Sequence, residues 1–156
     1  IEALINQGWN ISKEQLYQGF ARVCQNTNFS GRWQQISENP TVICDVAHNE
    51  DGLKWVVRQL ADTKFDKLHF VFGMVSDKST DKILALLPKS ATYYFCQDDT
   101  PRALPANELQ VAANQLGLHG LSYNTVKEAL ATAKNEANTN DLIFVGGSVF
   151  VVAEIL

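Results

Sequence analysis

Asp45-Val46-Ala47-His48-Asn49 gathers a carboxylate, an imidazole and an amide within five residues. A carboxylate in such a place accepts from sugar hydroxyls or holds a metal-bound water, and an imidazole donates to a phosphate. The cluster directly follows the apolar run Thr41-Val42-Ile43-Cys44 and precedes a helical pattern that starts at Leu53. Plainer roles compete. Asp45 suits the N-cap of the next helix, and His48 suits a half-buried ring bonded to backbone. Two further stretches share the pattern of an apolar run ending in polar or glycine residues. In Gly73-Met74-Val75-Ser76-Asp77-Lys78, a cation stands at the start of a helix, where the helix dipole disfavours it. Lys78 is therefore either an anion contact or a solvated charge. Gly146-Gly147-Ser148 opens a helix with backbone N–H groups available to a carboxylate or phosphate; otherwise it is a tight turn with a serine cap.

Positioning these groups is the task of the surrounding elements. Strand patterns cover Trp33–Ser37, Thr41–Val46, Lys67–Phe72, Ala91–Cys96, Leu121–Tyr123 and Leu142–Val145. Helical patterns cover Leu53–Asp62, Thr80–Leu87, Ala106–Leu116, Val126–Glu136 and the segment from Val149 to the end. Continuously apolar strands such as Leu142-Ile143-Phe144-Val145 are expected to be covered by helices on both faces. The alternation predicts an α/β fold: a Rossmann-like, doubly wound, mostly parallel sheet of about six strands. The first strand alternates in polarity and is expected to pair antiparallel with the second across Glu38-Asn39-Pro40. In such a sheet the loops beyond the carboxyl ends of the strands share one rim, and ligands bind there. The fourth loop, Gln97-Asp98-Asp99-Thr100-Pro101-Arg102, joins the other three on that rim.

Ahead of these, Ser12-Lys13-Glu14-Gln15 has the form of a capping box and predicts a helix from about Ser12 to Cys24. Gln25 to Gly31 reads as a linker, so a boundary is placed near residue 30: residues 1–30 as a terminal helix and linker, residues 31–156 as a separate domain.

The 156 residues are 46% hydrophobic and 19% charged, with a net charge of −4 and no basic run. That balance argues against nucleic acid or an anionic membrane as a partner. No apolar run approaches the roughly 20 residues of a membrane span, and no signal peptide is visible. Cys24, Cys44 and Cys96 are widely spaced, which points to a reducing, cytoplasmic setting without disulfides. His48, His69 and His119 lack metal-ligand spacing, so no metal is assigned to these residues. Dinucleotide and Walker loops and the nucleophile elbow are absent. The rim thus reads as an anion- and nucleotide-contacting surface without a nucleophile.

Gly31-Arg32, Asp45-Val46-Ala47-His48-Asn49, Ser76-Asp77-Lys78 and Gly147-Ser148-Val149-Phe150-Val151-Val152-Ala153-Glu154, taken in order, resemble the carboxy-terminal domain of the Mur ligase superfamily, nearest its folylpolyglutamate/dihydrofolate synthase branch. Ser30 stands where relatives usually carry Pro, and Glu50 replaces a usual Pro. The resemblance implies an ATP-dependent amide ligase that joins a folate or dihydropteroate carboxylate to the amino group of L-glutamate through an acyl phosphate. It implies that Arg32, Asp45, His48 and Asn49 contact ATP, and that Lys78 and Ser148 hold glutamate. Residues 1–30 would close a preceding ATPase domain in the same parent chain, which would bind most of the ATP and Mg2+. The isolated domain would then be inactive. Two other readings stay open: a stand-alone Rossmann-like nucleotide- or anion-binding module, and a cell-wall Mur-type amino-acid ligase domain.

Overall fold

Strands form where the apolar runs lie, and their order reflects which faces those runs must bury. The computed structural model describes residues 1–76 and 80–156. Its sheet is built from β1 (Gln34–Glu38), β2 (Thr41–Asp45), β3 (Leu68–Phe72), β4 (Thr92–Phe95), β5 (Gly120–Ser122) and β6 (Leu142–Gly146). The order across the sheet is β1-β2-β6-β3-β4-β5. Every neighbouring pair is parallel except β1 with β2, as the alternation of β1 predicts.

The continuous apolar character of the central strands is explained by two cores. Side chains alternate across a strand, so Leu142 and Phe144 of β6 enter one cluster while Ile143 and Val145 enter the other. The first cluster is closed by α4 (Glu50–Asp62), α5 (Thr80–Leu84) and α6 (Ala106–Gln115), through residues such as Leu53, Val56, Ile83 and Leu109. The second is closed by α7 (Val126–Glu136) and α8 (Val149–Ala153). Aromatic rings dominate the first core: Phe70 meets Phe144 edge-on at 4.9 Å, and Tyr93 stacks on Phe95 at 5.3 Å. Such pairs contribute about 0.5–1.5 kcal/mol each beyond their buried area.

Residues Ile1–Ser30 form one compact unit and Gly31–Leu156 another. The first holds α1 (Glu2–Asn6), α2 (Lys13–Ala21) and α3 (Val23–Thr27). The capping box is made in full, with Gln15 N donating to Ser12 Oγ at 3.1 Å and Ser12 N to Gln15 Oε1 at 2.9 Å. Two expectations need correction here. The single helix to Cys24 is divided at Arg22 (φ −113°, ψ 19°), and Gln25 to Thr27 are helical rather than linker. Thr27 Oγ1 donates back to Val23 O at 2.7 Å, and Asn28 supplies a left-handed end (φ 53°), a conformation asparagine tolerates. No helix among the described residues is long and apolar enough to cross a membrane.

At the amino ends of β3 and β6 lies a buried polar network. Asp141, 2% exposed, accepts at Oδ2 from the backbone and side-chain nitrogens of Asn138 (2.8 and 3.1 Å) and at Oδ1 from Lys67 N (3.1 Å). His69 lies 3.3 Å from the same Oδ2 and 2.8 Å from Tyr94 Oη, which in turn donates to Glu136 at 2.6 Å. The backbone bond from Asn138 leads the causes that hold the Asp141 carboxyl below the usual carboxylate range, against the opposing effect of burial. Because its folded-state pKa is depressed, its stabilisation is present above the ordinary carboxylate pKa and lost as pH falls through the folded value. The stability difference between wild type and Asp141→Asn should therefore be constant above about pH 5 and shrink below about pH 4. Urea unfolding across that range measures it.

Cys44 and Cys96 are buried and Cys24 is exposed. Burial, assisted by the Asp45 charge, pushes the Cys44 thiol up to about 11, and burial raises Cys96 further. Since the thiolate is the reactive form, iodoacetamide at pH 8 should label the native chain once, at Cys24. Mass spectrometry before and after unfolding checks this.

Candidate functional site

β2 ends on Asp45, and that residue organises the loop beyond the strand. It is 6% exposed, and each carboxylate oxygen is engaged. Oδ1 accepts from Ala47 N at 2.7 Å, two residues on, as aspartate does in a local turn. Oδ2 accepts from Trp33 N at 2.8 Å, across to the segment that enters β1. The Arg32 guanidinium lies 3.6 Å from Oδ1, with its side chain 51% exposed. The entering segment bends sharply, at Gly31 (φ 80°) and Trp33 (φ 40°), and Val46 N donates to Gly31 O at 2.8 Å. Asp45 is thus a strut joining the 31–33 bend to the 45–47 loop, with Arg32 presented beside it.

The cap of α4 is Asn49, whose Oδ1 accepts from Gly52 N at 2.8 Å. The plainer role offered for Asp45 therefore belongs to Asn49. His48, between them, is half-buried, and its Nδ1 lies 3.0 Å from Val46 O. A carbonyl only accepts, so Nδ1 carries a proton in that bond.

On the neighbouring strand, β6 runs through Gly146 and Gly147 into Ser148. Gly147 has φ 98°, outside the range of ordinary residues, and a Cβ there would run into Gly73 O and the Phe72 ring. The loop after β6 therefore packs directly on the end of β3. Ser148, 3% exposed, caps α8 by accepting from Phe150 N at 3.1 Å. This helix has only five residues, so its dipole is small, and an anion at this end would be held mainly by side chains.

The strand order makes this rim a switch point. β2 and β3 lead into helices on one face, and β6 between them leads into α8 on the other. A crevice opens at such a reversal. Here it is a cavity of about 260 Å³ lined by His48, Val75, Arg102, Ser148, Val149 and Phe150. Of the site residues read from sequence, it brings His48 and Ser148 together. Arg32, Asp45 and Asn49 lie on the same rim outside its lining, and Lys78 lies outside the described residues. Arg102 had no role on sequence grounds; its only signal was its place in the loop after β4. A larger hollow, about 530 Å³, lies at the opposite rim, where Asp66 and Asn140 precede β3 and β6. It shares no residue with the first. Among the described residues, no group of three His, Cys, Asp or Glu side chains is placed to hold a metal ion.

Known proteins resemble the chain in sequence and in fold. The chain is 31% identical to the dihydrofolate synthase/folylpolyglutamate synthase of Escherichia coli strain K12, over all of its own length and 36% of the relative's. The structure of E. coli FolC in complex with DHPP and ADP superposes with a TM-score of 0.83 at 30% identity, over 99% of this chain and 36% of that one. A bifunctional folylpolyglutamate synthase/dihydrofolate synthase with Mn, AMPPNP and L-glutamate bound gives 0.81 at 31% identity, over 94% and 34%. The chain thus spans about a third of the length of these relatives. The family model "Mur ligase, glutamate ligase domain" matches residues 31–149. That match covers the doubly wound sheet and the loops on its rim, and the chain belongs to the Mur ligase family.

Proposed function

We propose that this chain is the glutamate- and nucleotide-contacting domain of an ATP-dependent folylpolyglutamate/dihydrofolate synthase. The parent enzyme would join the amino group of L-glutamate to a carboxylate of folate or dihydropteroate. The observation that carries this reading is the switch-point cavity, where a cation, an imidazole and a buried hydroxyl face one crevice of amino-acid size.

ATP, when bound, supplies the phosphoryl group that turns the acceptor carboxylate into an acyl phosphate. The glutamate amine then attacks the acyl carbon, the C–N bond forms and phosphate leaves. The residues present fit a nucleotide at the rim. Arg32 offers an exposed cation for phosphate oxygens. Asp45 keeps lone pairs beyond its two internal bonds to accept from a ribose hydroxyl. His48 and Asn49 flank it. Ser148 retains its hydroxyl hydrogen to donate to the glutamate carboxylate, and Lys78 is assigned to the same ligand through the family resemblance. By the family resemblance, Mg2+ would be held chiefly by a preceding ATPase domain. Closure of the two domains would keep water from the acyl phosphate.

The test uses the full-length protein with ATP, labelled L-glutamate and either a folate or dihydropteroate. The expected result is one ADP released per glutamate incorporated, with at least one acceptor. ATP turnover without glutamate incorporation on either acceptor would overturn the reading.

A further inference from the structure

Arg102 is exposed, yet its backbone is held as firmly as that of a strand. Val75 and Ala103 form an isolated antiparallel bridge. Ser76 N and Oγ both donate to Arg102 O, at 2.9 and 3.2 Å, and Leu104 N donates to Met74 O at 2.8 Å. The loops after β3 and β4 are thereby stitched together, and Arg102, beside the bridge, is one of the residues that line the cavity. We propose that Arg102 reads the side-chain carboxylate of the incoming amino acid and so sets a preference for glutamate over glutamine. The proposal rests on the ligase reading above and adds a specificity-determining residue to it.

The direction of the bound amino acid is set by strand order. Across the rim the contributors run His48 after β2, Ser148 after β6, Val75 after β3 and Arg102 after β4. The loop after β3 lies between Ser148 and Arg102, since Arg102 is bonded to it through Ser76. His48 and Ser148 form one polar pole, beside the Asp45 loop where the nucleotide is assigned. Arg102 forms the other. Val75, Val149 and Phe150 supply the apolar walls between them. A molecule with two carboxylates separated by methylenes matches that order, with its α-amino end toward the nucleotide and its distal carboxylate on Arg102.

The chemistry also disfavours the amide analogue. Arginine has five N–H donors and no acceptor, so it pairs two carboxylate oxygens at once. A glutamine amide would bring one oxygen and an NH₂ group, and the NH₂ would face donors. Among the described residues, no carboxylate lines the cavity to accept from it. A site built for a polar group rejects an analogue that leaves its own groups unpaired.

Steady-state kinetics of the full-length enzyme test this, with glutamine measured as an inhibitor of glutamate incorporation. Arg102→Ala should raise KM for glutamate about 100-fold while Ki for glutamine stays within about threefold, collapsing the discrimination. KM for ATP should not move, which separates a specificity role from a structural one. Arg102→Lys should recover part of the glutamate affinity, because the charge remains and the fork is lost. A glutamate KM within twofold of wild type, or equal losses for glutamate and glutamine, would overturn the Arg102 assignment and leave the ligase reading standing. A wild-type enzyme that does not incorporate glutamate would overturn both.

Discussion

Asp45→Asn is expected to lower stability by about 2–4 kcal/mol, far more than an isosteric change at a rim usually does. The carboxylate accepts from two backbone donors, Trp33 N and Ala47 N, on opposite oxygens. An amide has only one oxygen. Whichever way it turns, its NH₂ group faces one of those N–H groups, leaving a donor unsatisfied in a buried place. Such an orphan costs about 1–3 kcal/mol, and the surviving bond loses its charge assistance. Arg32→Ala provides the contrast. Its guanidinium is half exposed at 3.6 Å from Asp45, so its loss should cost under about 1 kcal/mol. Urea unfolding of both variants separates them. In the full-length enzyme the order of effects should differ: both should raise KM for ATP, Arg32→Ala without the loss of stability. An Asp45→Asn protein within about 0.5 kcal/mol of wild type would show that Asp45 is not the strut described.

Gly147→Ala carries the other large effect. The new Cβ would adopt φ 98° and press on Gly73 O and the Phe72 ring. The left-handed backbone costs an ordinary residue about 1–2 kcal/mol, and overpacking adds about 1–3. A total of about 2–5 kcal/mol corresponds to a fall in Tm of roughly 10 °C for a domain of this size. The obstruction cannot relax easily, because a Cβ on Gly73 itself would stand 2.6 Å from Cys96 O. The ends of β3, β4 and β6 are thus packed backbone to backbone, and forcing β6 outward moves Ser148 with it. The variant should lose glutamate affinity along with stability. Calorimetry and glutamate KM, measured together, check the linkage.

The sheet was legible in the sequence because hydrophobicity at its central strands is unbroken, and the antiparallel edge was legible because β1 alternates. Helix ends were less so. The pattern for α4 begins at Leu53, but the helix begins at Glu50, where no apolar residue marks it; the cap therefore falls on Asn49 and Asp45 takes another role. α5 stops at Leu84 short of Leu87, since Leu86 and Leu87 make tighter three-residue bonds ahead of Pro88. In the site, His48 and Ser148 were legible as residues at the ends of apolar runs. Arg102 was not, because its position depends on pairing two loops 26 residues apart, through Ser76 and Arg102. Local pattern carries no trace of such a pairing. The double engagement of Asp45 was hidden for the same reason, since Trp33 lies 12 residues upstream.

The crevice between the ends of β2, β6, β3 and β4 is proposed to receive the incoming amino acid. The measurement that addresses it most directly is a crystal structure of the full-length protein with an ATP analogue and L-glutamate. Density for glutamate among His48, Arg102 and Ser148, with its distal carboxylate on Arg102, is the predicted result. Glutamate bound elsewhere, with this crevice filled by water alone, would rule out the crevice as the amino-acid site.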